Sequence, residues 1–419
     1  MPPSAANPAP TAASAAQPEP PARHIAVFIF ALTAGGAQRR TLTLVRGFAE
    51  RGHRVDLVVV SDEGALAQET PPGVRRIVLH AGWKRAFGAL ARRINLRGLE
   101  TLGSIPSLVG YLRRERPEVL LSAASHVNLV ALWSRRLAGI PVRLVLRASN
   151  DPLGYPELWP RAQRVIRLFL RWMAGRVYPW ADAIIAVSQG VADDIARLAN
   201  IPRERITTIY NPVTTPELVA KAREPVSHPW LAPGSPPLVL GVGKLKLQKD
   251  FETLIRAFAR VRQTREARLV ILGEGGQRGA LEALVRELAL ERDVALPGYV
   301  DNPWAWMARA AVFVLSSAWE GLPGVLIEAM ACGCPVVSTN CASGPSEILE
   351  AGAYGPLVPV RDPCLLADAI AQSLASAPDP ERLRARAASF SVGPAVDAYL
   401  DVLLARGAGS SLTRPSSTR

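Results

Sequence analysis

Residues 316–334 read Ser-Ser-Ala-Trp-Glu-Gly-Leu-Pro-Gly-Val-Leu-Ile-Glu-Ala-Met-Ala-Cys-Gly-Cys, and their reading decides the fold of the chain. The run Val312–Leu315 just before them is short and apolar, which predicts a buried strand. Gly321, Pro323 and Gly324 then mark a loop, and a helix is predicted from about Val325. A helix starting there presents backbone N–H groups that have no intrahelical partner. With the positive end of the helix dipole, they form a place for a phosphate. Two carboxylates frame it: Glu320 in the loop and Glu328 about one turn into the helix, with seven residues between them. Carboxylates accept hydrogen bonds from paired hydroxyls, as on a sugar or ribose ring. A sugar joined to a phosphate is the ligand class this pattern implies. The alternative makes Glu328 a helix-start preference and Glu320 a solvated charge, and it leaves the spacing of the whole loop to chance.

Working outward, the strand before this loop is one of many that alternate with helical patterns. Strands are predicted at 25–30, 55–60, 119–122, 143–147, 183–187 and 206–210, and again at 238–243, 268–272, 294–296 and 335–338, with a last one near Leu357. Such alternation predicts parallel sheets covered by helices. The fold class expected is α/β, with two doubly wound Rossmann-like domains facing across a cleft. They would span 23–213 and 238–390, joined by a Pro-rich, aperiodic linker at 214–237. A helix within 391–406 closes the chain, while 1–22 and 407–419 read as disordered arms.

The chain of 419 residues has room for two cores, and no apolar run approaches the span of a bilayer. The Ala/Pro-rich start lacks the charged and apolar regions of a signal peptide. Cys332, Cys334, Cys341 and Cys364 have no histidine at metal-site spacing, so they read as small buried residues in a reducing cytosol. The formal charge of +13 admits nucleic acid, an anionic membrane or an anionic substrate as partner. Nucleic-acid motifs are absent. The arginines instead crowd with apolar residues in 83–116 and 161–176, the latter carrying Arg161, Arg164, Arg167 and Arg171 beside Val165, Phe169 and Trp172. A peripheral position on the cytoplasmic face of an anionic membrane is expected. The opposing reading packs those apolar side chains into the core.

Other candidate site residues lie where predicted strands end. Gly35 and Gly36 follow the first strand and let backbone approach a ligand, although no P-loop or dinucleotide fingerprint is present. Lys244 and Lys249 follow the strand at 238–243, and two cations there suit a diphosphate. His126 falls just beyond the strand at 119–122, where open α/β sheets place their ligand crevices, though a lone histidine is also a common structural residue.

The Glu320-x7-Glu328 loop, its continuation through Pro335-Val-Val-Ser-Thr339, and Ser343-Gly-Pro-Ser-Glu-Ile-Leu349 together resemble the retaining glycosyltransferases of family 4, which have the GT-B fold. The resemblance covers about residues 25–405. It implies transfer of a sugar from a nucleotide sugar, most simply a UDP-sugar, to a glycan or lipid-linked acceptor in polysaccharide or glycolipid synthesis. It also implies that Glu320 holds the donor sugar, Glu328 the ribose, and Lys244 and Lys249 the diphosphate. Gly35 and Gly36 would face the phosphates, Tyr299 and Val300 the base, and Leu322, Pro323, Gly324 and Val325 would line the donor loop. His126 becomes the active-site histidine, and the last helix crosses back to the first domain. No Asp-x-Asp occurs, so neither metal nor cofactor is expected. Two departures stand out: Ala148 where many relatives are acidic, and Lys244 where arginine is frequent. A sugar-nucleotide epimerase, a transferase with a small soluble acceptor and a non-catalytic binder share this architecture, and the intact Glu320, Glu328, Lys244 and Lys249 speak against the last.

Overall fold

The computed structural model describes residues 21–33, 35–64, 66–79, 101–149, 161–376 and 379–405, with the backbone alone for Ser125, His126, 161–167 and Leu170. The basic stretch 83–100, nearly all of the N-terminal arm, the tail beyond 405 and residues 150–152 lie outside the described residues.

Two sheets, each wholly parallel, organise the chain. The first contains β1 (His24–Ile29), β2 (Arg54–Val59), β3 (Val74–Val78), β4 (Val119–Ser122), β5 (Arg143–Ala148), β6 (Ala183–Ala186) and β7 (Ile206–Thr208), in the order β3-β2-β1-β4-β5-β6-β7. The second contains β8 (Leu238–Val242), β9 (Arg268–Leu272), β10 (Val294–Gly298), β11 (Val312–Leu315), β12 (Val336–Thr339) and β13 (Leu357–Val358), ordered β10-β9-β8-β11-β12-β13. Helices cover both faces, so the central strands are apolar on both sides. In β1, Ala26 and Phe28 enter one core while Ile25, Val27 and Ile29 enter another. Each half is therefore a doubly wound, Rossmann-like sheet. Its strand order reverses between β1 and β4 in the first half and between β8 and β11 in the second. Crevices at the carboxyl ends of such switch points are where open α/β sheets bind ligands.

Strand β3 and a helix in the expected linker are among the elements that escape sequence patterning. Strand β3 is the edge of its sheet, and the exposed Arg75 and Arg76 break its apolar run. Within the expected linker, Pro216–Ala222 is a helix whose Thr215 cap accepts from the Leu218 N–H. Thr followed by Pro is the signal for such a start, and it was hidden by the proline-rich surroundings. This helix sits with the second half: the Asn302 amide donates to the Lys221 carbonyl at 2.9 Å, and Lys221 lies over the Trp304 ring.

The chain crosses between halves twice, side by side. Val213 N–H donates to the Phe390 carbonyl at 2.8 Å, and Thr214 bridges Ser391. Beyond this point the Val392–Leu404 helix packs on the Gly36–Glu50 helix of the first half. Their contact is so close that a Cβ on Gly47 would stand 2.5 Å from a Val396 methyl. Phe48 meets Tyr399, and Arg51 pairs with Asp397 at 2.6 Å.

Candidate active site

At the second switch point, the loop after β8 and the loop after β11 hold a charged pair. Lys249 Nζ lies 2.6 Å from Glu320 Oε1, with only 17% and 9% of the two side chains exposed. The lysine is aimed by local geometry. It ends a short 3-10 turn, Leu247–Lys249, and Gly243 lacks a side chain that would stand 3.0 Å from Lys249 Cε. Glu320 Oε1 also accepts from Ser317 Oγ at 2.8 Å, and Gln248 Nε2 donates to the neighbouring Trp319 carbonyl. Ser316 Oγ bonds the Lys249 carbonyl at 2.8 Å, and Thr339 Oγ1 bonds the Ser317 carbonyl at 2.6 Å. The carboxylate and the ammonium are thus fixed by backbone from β11, β12 and the β8 loop.

The loop after β11 continues into the Gly324–Ala331 helix, one residue earlier than the sequence pattern suggests. Leu322 and Pro323 are buried, while Gly324 and Val325 are half-buried at its mouth. Glu328, a turn inside, pairs with Arg40 of the first half. Arg40 also donates to the carbonyls of Pro212 and Val213 at 3.3 and 3.4 Å, where the chain leaves the first half. Gly35 comes from the opposite side of the cleft: a Cβ there would stand 3.7 Å from Lys244 Nζ. Gly36 begins the helix that carries Arg40. His126 lies in the first turn of the Ser125–Ala138 helix, directly after β4 at the first switch point, and its side chain is outside the described residues. Tyr299, more than half exposed, and the half-buried Val300 follow β10, two strands from β8 and so about 10 Å along the sheet.

The structure therefore gathers Gly35, Lys244, Lys249, Glu320, Gly324 and Glu328 around facing switch points, and leaves Tyr299 and Val300 at the side. Three further residues that sequence reasoning did not single out either join the halves or tie the crossing helix to the first half. Arg40 is one, betrayed only by its place one helical turn after Gly36. Arg147, fully buried at the end of β5, donates to the Ala123 carbonyl, to Asn211 Oδ1 at 2.7 Å and to the Tyr399 hydroxyl at 3.0 Å. Glu347 accepts from the N–H groups of Gln189 and Gly190 at 2.7 and 3.1 Å, clasping a first-half helix by its positive end.

Burial holds the thiols of the buried cysteines in the protonated form. Burial pushes the Cys341 thiol up to about 12, with the Glu320 charge adding to it, and burial does the same to Cys332. Both stay protonated and non-nucleophilic. Cys364 departs from the expectation of four buried cysteines, since it is exposed at a helix start. No group of three or more metal-ligating side chains occurs among the described residues.

Two parallel sheets with facing switch points, one lined by lysines and carboxylates, define a GT-B architecture. The family model described as Glycosyltransferase Family 4 matches residues 34–217, and that described as Glycosyl transferases group 1 matches 223–390. With both halves matched, the chain is a GT-B glycosyltransferase resembling those of family 4. It is 29% identical over 336 residues, 80% of this chain and 86% of the relative, to the N-acetylgalactosamine-N,N'-diacetylbacillosaminyl-diphospho-undecaprenol 4-alpha-N-acetylgalactosaminyltransferase of Campylobacter jejuni. It is 28% identical to the lipopolysaccharide core biosynthesis glycosyltransferase LpsE of Rhizobium meliloti, over 89% of this chain and 96% of that one. Among solved structures, Anabaena HepE in complex with UDP and glucose superposes with a TM-score of 0.69 at 21% identity, covering 92% of this chain and all of the other.

Proposed function

We propose that this enzyme transfers a sugar from a UDP-sugar to a lipid-linked glycan, with retention of anomeric configuration and without a metal ion or other cofactor. The observation that carries the reading is the Lys249–Glu320 pair at the second switch point. An ammonium held 2.6 Å from a carboxylate gives one site both a cation for a departing diphosphate and an acceptor for sugar hydroxyls. Lys244 and the first turn of the Gly324–Ala331 helix add positive charge, which stands in for a metal ion. Glu328 takes the ribose, Gly35 and Gly36 border the phosphates, Tyr299 and Val300 meet the base, and His126 serves the reacting region. The acceptor class follows the names of the Campylobacter and Rhizobium relatives, one a diphospho-undecaprenol-dependent enzyme and the other a lipopolysaccharide enzyme.

A membrane surface suits such an acceptor. On the Arg161–Val177 helix, Leu168, Phe169 and Trp172 are 52%, 56% and 55% exposed, which favours docking over packing into the core. Phe169 stacks on Trp172, Arg176 lies 4.2 Å over the Trp172 ring, and Arg171 is exposed beside them. Among the described residues, no helix is long and apolar enough to cross a membrane. The reading, resting on these exposed aromatic and basic side chains, is of a reversible, peripheral attachment to the cytoplasmic face.

The test is a panel of nucleotide sugars scored by thermal shift and slow donor hydrolysis, followed by transfer to a diphospho-undecaprenol-linked glycan in excess EDTA. Stabilisation by a UDP-sugar and an unchanged anomeric configuration in the product are expected. Loss of transfer in EDTA that magnesium restores would overturn the metal-free mechanism. Binding of no nucleotide sugar would overturn the donor assignment.

A further inference from the structure

Arg40 is the one first-half side chain seen to bond a carboxylate of the donor loop and its helix among the described residues. Its side chain is 9% exposed and that of Glu328 13%. The guanidinium is held on three sides. One nitrogen donates to Glu328 Oε1, and another bridges the Pro212 and Val213 carbonyls of the crossing peptide. A Cβ on Gly324 would stand 3.2 Å from Arg40 Nη2, so the cation lies against the first turn of the Gly324–Ala331 helix.

That place is electrostatically costly for a cation. The helix start is positive, and burial lowers the Arg40 pKa, with only the Glu328 charge and hydrogen bond opposing this. The cation is held there by its counter-charge, Glu328. A carboxylate offers about four lone-pair directions, so Glu328 can keep Arg40 on Oε1 and still accept from ribose hydroxyls. A planar guanidinium holds Glu328 Oε1 through one nitrogen while the other grips the crossing peptide, a two-pronged link that a lysine cannot make. An anionic diphosphate arriving at the same helix turn would also relieve the repulsion that Arg40 meets there.

We infer that Arg40 is a positioning residue for the nucleotide, reaching from the first half to set the Glu328 carboxylate for the ribose, so that tight nucleotide binding requires the two halves to be together. This rests on the assignment of Glu328 to the ribose. Since Arg40 also grips the crossing peptide, nucleotide binding and the juxtaposition of the halves favour one another reciprocally.

The experiment is calorimetric titration of full-length protein with UDP, in wild type, Arg40→Leu, Arg40→Lys, Glu328→Ala and the Arg40→Leu/Glu328→Ala double variant. Arg40→Leu is expected to weaken UDP by about tenfold or more in the wild-type background and by less than about twofold in the Glu328→Ala background. Arg40→Lys keeps the charge but not the fork, and should fall between. Losses of equal size in both backgrounds would reduce Arg40 to a structural role and overturn the inference, as would unchanged affinity in Arg40→Leu. If Arg40→Leu does not fold, the lysine variant decides: wild-type affinity there overturns the inference. A wild type that binds UDP while the Arg40 variants match it refutes this inference alone. A wild type that binds neither UDP nor any other nucleoside diphosphate refutes the donor reading and this inference together.

Discussion

Replacing Lys249 by methionine tests the core of the site, because stability and catalysis then move apart in a way the geometry dictates. At 2.6 Å and an effective dielectric of about 20, the gross attraction between Lys249 and Glu320 is about 6 kcal/mol. Desolvation of two largely buried groups offsets much of it. Lys249→Met leaves Glu320 buried with Ser317 as its main remaining donor. Breaking a buried pair costs about 3–5 kcal/mol, and the residual exposure and the Ser317 bond bring this one down to or just below that range, at about 2–3 kcal/mol. Adding Glu320→Gln removes the orphaned charge. The double variant should regain stability to within about 1 kcal/mol of wild type, since a neutral pair of similar shape is often tolerated. Turnover should nevertheless stay at least about a hundredfold down in both, as expected when charge stabilisation of a leaving group is lost. Urea unfolding of wild type and the two variants, read beside donor turnover, gives the answer. A double variant no more stable than Lys249→Met alone would show that the two groups are not coupled, and wild-type turnover in either would move the chemistry elsewhere.

Arg147→Met should cost about 3 kcal/mol in urea unfolding, because Asn211, the Ala123 carbonyl and Tyr399 lose a buried donor; a loss below about 0.5 kcal/mol would mean the bracket is idle. At the opposite end of the first sheet, burial raises the Asp56 carboxyl, but hydrogen bonds from Arg75, Tyr111 and His24 outweigh it and hold it at about 2. Its folded pKa lies below the unfolded one, so this stability is complete above about pH 4 and drains away as pH falls toward about 2, for about 2 kcal/mol in all. Asp56→Asn should flatten the acid limb of the stability profile, and an unchanged limb would assign it to other groups. Wild type should co-sediment with anionic but not neutral vesicles at low salt, and Trp172→Ser with Arg171→Gln should release it without lowering the melting temperature, since both side chains are exposed. Binding to neither kind of vesicle would favour a soluble acceptor.

Much of this protein was legible without coordinates. The alternation of short apolar runs with helical patterns determined two parallel sheets, because strands buried on both faces must be apolar throughout while their covering helices repeat at 3.6 residues. The loop holding Glu320 and Glu328 was legible for the same local reason: a strand, a Gly/Pro turn and a helix start follow one another within twenty-three residues, 312–334. What sequence could not supply were partners. Lys249 and Glu320 are 71 residues apart and meet only because β11 pairs beside β8. Arg40 and Glu328 are separated by 288 residues, and Glu347 and the Gln189 N–H by 158; both contacts cross from one half to the other. Periodicity likewise marked an apolar and a basic side on the Arg161–Val177 helix, but a period names a face and not what lies against it. Only the packing of that helix left Leu168, Phe169 and Trp172 to the solvent. Local propensity is carried by neighbours along the chain, whereas charge pairing and exposure are decided by neighbours in space, which the strand order and the double crossing between the halves bring together.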